Sequence, residues 1–349
     1  MVLIYGAYGY TGRQLIQLLS KGKVDYYVAG RNEKKLMDLY NKIEGKKPKN
    51  YFICSTKDIF SVDAKDIDLV VNTAGPFSDI GENIVRFSYE IGANYIDCSG
   101  EAFWTKKLVE DFSKKFSSKN IFLSSGVAWE TVAGEMAVKK LVRESGVEKV
   151  RKDNNSIYLV YLAEFNMSPG TLQSSVNIVR SGALVWNRGF LNPVKPLERR
   201  FEFDFEGKKF IATNITTSDI INVPNSLGEL RDQINFDVLF ATRRAYLLFF
   251  LKSFLFLTKY RIFSEFFKLV FDLIPEPNED DHPLASAIAF LVDSNGNVIQ
   301  SASIKSSKPY NTTAKIMNYF VERFYEGKIK SSGYKSPTEL VDFPENIFY

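Results

Sequence analysis

The first nineteen residues constrain this chain more than any other stretch. Val2-Leu3-Ile4-Tyr5 is a short apolar run, and Gly6-Ala7-Tyr8-Gly9-Tyr10-Thr11-Gly12 follows at once. Leu15, Ile16, Leu18 and Leu19 then recur at helical spacing. The order is strand, glycine loop, helix. In that context each glycine of Gly6-x-x-Gly9-x-x-Gly12 has a mechanical reason. The first permits a tight turn, the second lets backbone approach a pyrophosphate, and the third lets helix and strand pack closely. The helix N-terminus offers N–H groups and a positive dipole end to the phosphates. The spacing predicts a dinucleotide site. A glycine-rich turn without a ligand is the competing reading.

The end of the next strand selects the dinucleotide. A site for NAD places Asp or Glu there, about 20 residues on, to hold the ribose 2′-hydroxyl. Here the chain reads Ala29-Gly30-Arg31-Asn32. An arginine at that point grips a 2′-phosphate and stacks on adenine. Asp25 comes too early to reach, and Glu33 lies inside the following helix. The expectation is NADP; the alternative is that Arg31 is a solvated residue at a helix start.

The strand–helix alternation continues. Strands are expected at 24–29, 51–54, 68–72, 94–97 and 121–123. Helices are marked by Leu36, Leu39 and Ile43, by Ile84, Phe87 and Ile91, and over 103–116. That pattern predicts a parallel, doubly wound α/β sheet. It then stops. A helix is expected at 132–142 and a long strand at 156–165. An alternating strand follows at 201–205, and strands at 287–292 and 298–304 flank the hairpin signal Asn295-Gly296. The second domain is therefore expected to be α+β with a mostly antiparallel sheet. A helix at 314–324 and an irregular tail at 334–349, with Pro337 and Pro344, close the chain. The division expected is 1–130 for cofactor and 131–309 for substrate or interaction, with 310–349 packing back on the first.

Composition excludes several classes. The chain has 349 residues, 45% of them hydrophobic and 25% charged, which is globular rather than disordered. Its 45 basic residues stand against 41 acidic ones, so no nucleic-acid footprint is expected. Two cysteines, Cys54 and Cys98, and one histidine, His282, predict no disulfide framework and no metal site. The opening residues read directly as a strand, with none of the features of a secretory leader. The expected location is cytoplasmic, with peripheral membrane contact as a further option.

Three more stretches join the two already described. They are Asn72-Thr-Ala-Gly-Pro-Phe77, Gly92-Ala-Asn-Tyr-Ile-Asp-Cys-Ser-Gly-Glu101 and Ser168-Pro-Gly-Thr-Leu-Gln-Ser174. With them the chain resembles the saccharopine dehydrogenase-like oxidoreductases, in the branch of the trans-acting enoyl reductases and lipid-droplet-associated members. The resemblance is dense over 1–101, thin over 175–280, and returns near Tyr310-Asn-Thr-Thr-Ala314 and Gly333-Tyr-Lys-Ser-Pro337. It implies a Rossmann domain, a second α+β domain and NADP-linked oxidoreduction. The expected cofactor-binding residues are Gly6, Tyr8, Gly9, Tyr10, Thr11, Gly12, Arg31, Asn32, Thr73, Ala74, Gly75 and Pro76. One departure bears on substrate: the loop after the sixth strand reads Gly126-Val-Ala-Trp-Glu-Thr-Val-Ala-Gly-Glu135, unlike the family's usual loop.

Ligands of such sheets sit beyond the carboxyl ends of the strands. Gly75-Pro76 would there approach the ribose or nicotinamide. Glu101, in the loop after the fifth strand, is the expected proton donor; its alternative is a carboxylate favoured by the dipole of the following helix. Cys98 is expected to be a structural thiol and His282 a solvated loop residue. The run Tyr-Leu-Leu-Phe-Phe-Leu-Lys-Ser-Phe-Leu-Phe-Leu from Tyr246 to Leu257 is too short to span a membrane. It reads as a core helix, as the wall of an apolar substrate tunnel, or, through 243–273, as a lipid-surface contact. The function expected is an NADP-dependent oxidoreductase acting on a small, apolar or lipid-like substrate, with a homodimer as an option. The rivals are a saccharopine-type dehydrogenase of amino-acid adducts and a non-catalytic NADP-binding protein at a lipid surface.

Overall fold

The computed structural model describes residues 1–63, 65–163, 178, 181–242 and 285–349. The Tyr246–Leu257 run, the wider 243–273 stretch, His282 and the Ser168–Ser174 motif lie outside the described residues. The chain divides into two compact units. The first comprises Met1–Ser99, Trp104–Trp129 and Pro309–Ile347; the second comprises Gly100–Phe103, Glu130–Lys308 and Phe348–Tyr349.

In the first unit the apolar runs become strands β1 (Val2–Tyr5), β2 (Tyr26–Gly30), β3 (Asn50–Ile53), β4 (Leu69–Asn72), β5 (Asn94–Asp97) and β6 (Phe122–Ser124). β2 starts two residues later than periodicity suggests. Helices Tyr10–Leu19, Glu33–Lys42 and Glu82–Ile91 form crossovers, as does a helical stretch from Ala102–Lys107 through a π turn at Leu108–Phe112 to Ser113–Ser118. All pairings are parallel, and the order β3-β2-β1-β4-β5-β6 is that of a Rossmann sheet. The order reverses between β1 and β4, which opens a crevice at their carboxyl ends. The apolar continuity of these strands has its cause in burial on both faces: every residue of β1 and β4 is buried.

The tail departs from the irregular chain expected of it. Gly333–Tyr334 pairs in parallel with β6 and extends the sheet to seven strands. Ser113 Oγ accepts from the Tyr334 amide at 2.9 Å, and helix Pro337–Leu340 follows. Prolines exclude a long element here, yet a two-residue strand needs only two free amides. Helix Pro309–Tyr325 packs along Tyr10–Leu19, with the rings of Tyr10 and Tyr310 edge to face at 5.0 Å.

Among its described residues, the second unit holds an eight-stranded mixed sheet. β7 (Ser156–Ala163), β8 (Ala183–Asn187), β9 (Phe190–Val194), β10 (Arg200–Phe205), β11 (Lys208–Asn214), β12 (Asn235–Thr242), β13 (Ala285–Val292) and β14 (Val298–Ser306) run in the order β10-β11-β12-β7-β13-β14, and β8 joins β12 to β9. Among the described strands only β7 with β12 is parallel. The hairpin expected at Asn295-Gly296 forms, and the Asp293 carboxylate accepts from the amides of Asn295 and Asn297. Alternation in β10 buries Phe201 and Phe203 against Phe210 and Phe290. The fold is α/β with a second, mostly antiparallel α+β unit.

Candidate functional site

The glycine loop lies at the reversal of strand order. Gly6 sits at φ +83°, and a Cβ there would stand 2.8 Å from the Ala74 nitrogen. A Cβ at Gly12 would meet the Gly6 carbonyl oxygen at 2.5 Å, closer than real Cβ contacts come. The turn and the helix that follows it are therefore tolerant of glycine alone at these two positions. Gly9 is the N-cap of helix Tyr10–Leu19, and no side chain caps that end; Thr11 and Gly12 fall in its first turn, which carries no acidic residue. This is the arrangement an anion fits. Arg13 donates to the Tyr8 carbonyl at 2.8 Å and so braces the loop.

Tyr8 leaves the loop towards β2. Its ring covers Gly30, where a Cβ would stand 2.4 Å from the ring, and its hydroxyl accepts from the Asn32 amide at 3.3 Å. Asn32 Oδ1 accepts from the Lys35 amide at 2.9 Å and caps helix Glu33–Lys42. Arg31 is exposed, and its guanidinium makes no ion pair with another described residue. A nucleotide 2′-phosphate is chemically suited to such a free fork.

The opposite wall is the segment after β4. Thr73 Oγ1 donates to the carbonyls of Tyr5 and Gly6, at 3.0 and 3.1 Å. The Ala74 amide donates to Asn72 Oδ1 at 3.0 Å, and Gly75–Pro76 is a cis peptide. Gly75 is exposed and Thr73, Ala74 and Pro76 are half-buried, so this backbone is open to a ligand. Glycine loop, Arg31 and Thr73–Pro76 thus stand at the carboxyl ends of β1, β2 and β4, and the donor set fits a dinucleotide.

Behind the wall lies a polar chain that pattern reading does not detect. Asn72 Nδ2 donates to the Tyr95 hydroxyl at 3.2 Å, which donates to Asp97 Oδ2 at 3.0 Å. Trp104 Nε1 reaches the same oxygen at 2.8 Å, and Ser125 Oγ and the Ser99 amide reach Oδ1 at 2.6 and 3.0 Å. Burial pushes the Asp97 carboxyl up, and these donors pull it back only in part. Its donors come from β5 and the loop after it, from helix Ala102–Lys107 and from the end of β6, so no single local spacing could signal it.

In the second unit, Glu101 is buried, bridges Thr217 through its backbone and stands immediately before helix Ala102–Lys107. A second acid, distant in sequence, is brought close to the neighbouring Gly100 by the fold. Glu130, in the first turn of helix Trp129–Ser145, has its Oε1 4.0 Å from where a Cβ at Gly100 would stand. Burial, with Asp219 adding to it, pushes the Glu130 carboxyl up to about 7. Asp219 is pushed up to about 6, again by burial. The Tyr161 hydroxyl lies 2.7 Å from the Glu130 carbonyl and 3.0 Å from Asp219 Oδ1, the two acceptors for its one proton. Thr217 Oγ1 donates to the other Asp219 oxygen. A carboxyl that titrates near neutrality is suited to proton transfer. Glu130 lies in the loop-to-helix stretch where this chain departs from the family it resembles, which was the one available hint. Cys98 is half-buried at the end of β5. Among the described residues no group of three or more His, Cys, Asp or Glu could hold a metal, and no helix is long and apolar enough to cross a membrane.

No family model matches the chain. It is 29% identical over 151 residues to a Caenorhabditis elegans protein named "Lipid droplet localized protein", covering 40% of this chain and 35% of that one. It is 25% identical over 154 residues to the human "Saccharopine dehydrogenase-like oxidoreductase", covering 39% and 36%. A Mycobacterium tuberculosis protein named for trans-acting enoyl reductase activity is 21% identical over 191 residues, covering 52% and 45%. The matched segments span less than half the length of each relative. Among solved structures, apo saccharopine dehydrogenase (L-Glu forming) of Saccharomyces cerevisiae superposes with a TM-score of 0.60 at 12% identity, over 96% of this chain and 93% of that one. That likeness is one of fold. The resemblance to saccharopine dehydrogenase-like oxidoreductases read from the motifs is the one these comparisons find.

Proposed function

We propose that this protein is an NADP-dependent oxidoreductase that moves hydride to or from a small, lipid-like substrate. The observation that carries the reading is the crevice at the β1/β4 reversal, with an uncapped helix end on one side and Arg31 where an NAD site has an acid. The relatives named as oxidoreductases support the reaction class. The bound nicotinamide would supply or accept the hydride. Of the chain's own groups, Gly6, Gly9, Gly12 and the first turn with Tyr10 and Thr11 would hold the pyrophosphate. Arg31, with Tyr8 and Asn32 beside it, would take the adenosine 2′-phosphate, and Thr73–Pro76 the nicotinamide half. Residues 1–130 with 310–349 would serve the cofactor and 131–309 the substrate. For the proton we assign Glu101 and Glu130 as the two candidate carboxyl groups, with Glu130 favoured by its titration near neutrality. Calorimetric titration with NADPH and NADH tests the cofactor: tighter NADPH binding is expected, and equal affinities would overturn the NADP assignment. Loss of nicotinamide absorbance with long-chain enals or ketones, set against a diacid amino-acid adduct, tests the substrate class.

A second reading, contact with a lipid surface through 243–273, draws on the name of the C. elegans relative and on the apolar, basic-punctuated sequence of that stretch. Flotation with phospholipid vesicles tests it; protein left in the dense fraction would discard it.

A further inference from the structure

Asp97 is wholly buried, as are Tyr95, Asn72 and Ser125. A charged carboxylate in that position costs free energy that an apolar side chain of similar volume would not. Tyr95 in fact lies within the apolar cluster of this unit, where a phenylalanine would fill the same space. What the polar residues add is direction. An ionised Asp97 carboxylate can only accept, and the Trp104 ring N–H and the Ser99 and Gly126 amides can only donate, so the Tyr95 hydroxyl points its proton there. That leaves the hydroxyl's lone pairs for Asn72 Nδ2, which fixes the amide orientation and turns Asn72 Oδ1 to the Ala74 amide. The chain therefore ends on the backbone that closes against Gly6.

The strand order says which part of a dinucleotide meets this wall. β2 and Arg31 lie on one side of β1, and β4 lies on the other. With the pyrophosphate over the Gly6 loop, the adenosine half goes to the β2 side and the nicotinamide half to the β4 side. We propose that Asp97 is a positioning residue for the nicotinamide half, acting through Tyr95 and Asn72 on the Ala74 amide. The inference rests on the cofactor reading above.

The test compares NADPH with adenosine 2′-phosphate, a fragment that reports on the Arg31 side alone. Tyr95→Phe keeps the ring and removes the hydroxyl in the middle of the chain. It is expected to weaken NADPH about fivefold to thirtyfold while fragment affinity stays within about twofold of wild type. Asp97→Asn should give the same split. Thermal melting of each variant reports whether it folds, and Tyr95→Phe carries the test if Asp97→Asn does not. NADPH affinity unchanged in a folded Tyr95→Phe variant would overturn the proposal, as would a parallel loss of both ligands, which marks a purely structural role. Wild-type protein that binds neither ligand would instead overturn the cofactor reading itself.

Discussion

At the scale of single residues, the proposed choice of dinucleotide turns on Arg31. Arg31 is exposed and, among the described residues, has no acid paired with it, so its charge suits a phosphate. A hydrogen bond to a charged group contributes roughly 1.5–3 kcal/mol. Arg31→Ala should accordingly reduce NADPH affinity by about tenfold to a hundredfold and leave NADH nearly unaffected, as read by calorimetry. Gly12 is the other decisive position. Its missing Cβ is what allows the helix to sit 2.5 Å, in Cβ terms, from the Gly6 carbonyl. Gly12→Val should displace the helix end, abolish measurable NADPH binding and lower the melting temperature, both visible in one ligand-shift melt. These residues were legible because the glycine spacing and the strand-end arginine are local signals. Asp97, Tyr95 and Glu130 were not, since Ser125, Asn72 and Asp219, which complete their surroundings, lie far along the chain from them.

Elements show the same division. β1 to β6 were legible because parallel strands buried on both faces read as unbroken apolar runs. β8 and β9 carry Asn187 and Pro193, and helix Asp219–Ser226 holds Pro224, so local propensity argues against all three. Tertiary pairing overrides it. Helix Trp129–Ser145 brings Glu130 beside the buried Asp219 and Tyr161, and this has a consequence for pH. Glu130 and Asp219 are raised to about 7 and about 6. Between the ordinary carboxyl range and those values, the folded state keeps protons that the unfolded state has released. Their contribution to stability is therefore full at low pH, falls as pH rises through that window, and is flat above it. Glu130→Gln removes the Glu130 share. It should melt with wild type at about pH 4 and be more stable, by up to about 3 kcal/mol, at about pH 8. Denaturant titrations at the two pH values measure the difference; equal offsets at both would refute it.

At the scale of the whole molecule, the chain leaves the first unit after β6 and returns to it for its last stretch. Tyr334, Val341 and Phe343 are buried there, and Gly333–Tyr334 covers the edge of β6. Burial of a large apolar side chain contributes about 1.5–3 kcal/mol. Truncation after Tyr325 should therefore lower the melting temperature by on the order of 10 °C and expose a strand edge that promotes aggregation, detectable by calorimetry and light scattering. The sequence by itself determined the Rossmann sheet, the glycine loop and the arginine at the end of β2. Each is encoded within about a dozen contiguous residues, where periodicity, glycine geometry and charge act without help from the rest of the chain. Only the tertiary structure decided the mixed order of the second sheet, the seventh strand from the tail, the Asn72–Tyr95–Asp97 chain and the Glu130–Asp219 cluster. Those depend on which distant segments meet, and on the burial that shifts a carboxyl's proton affinity once they do.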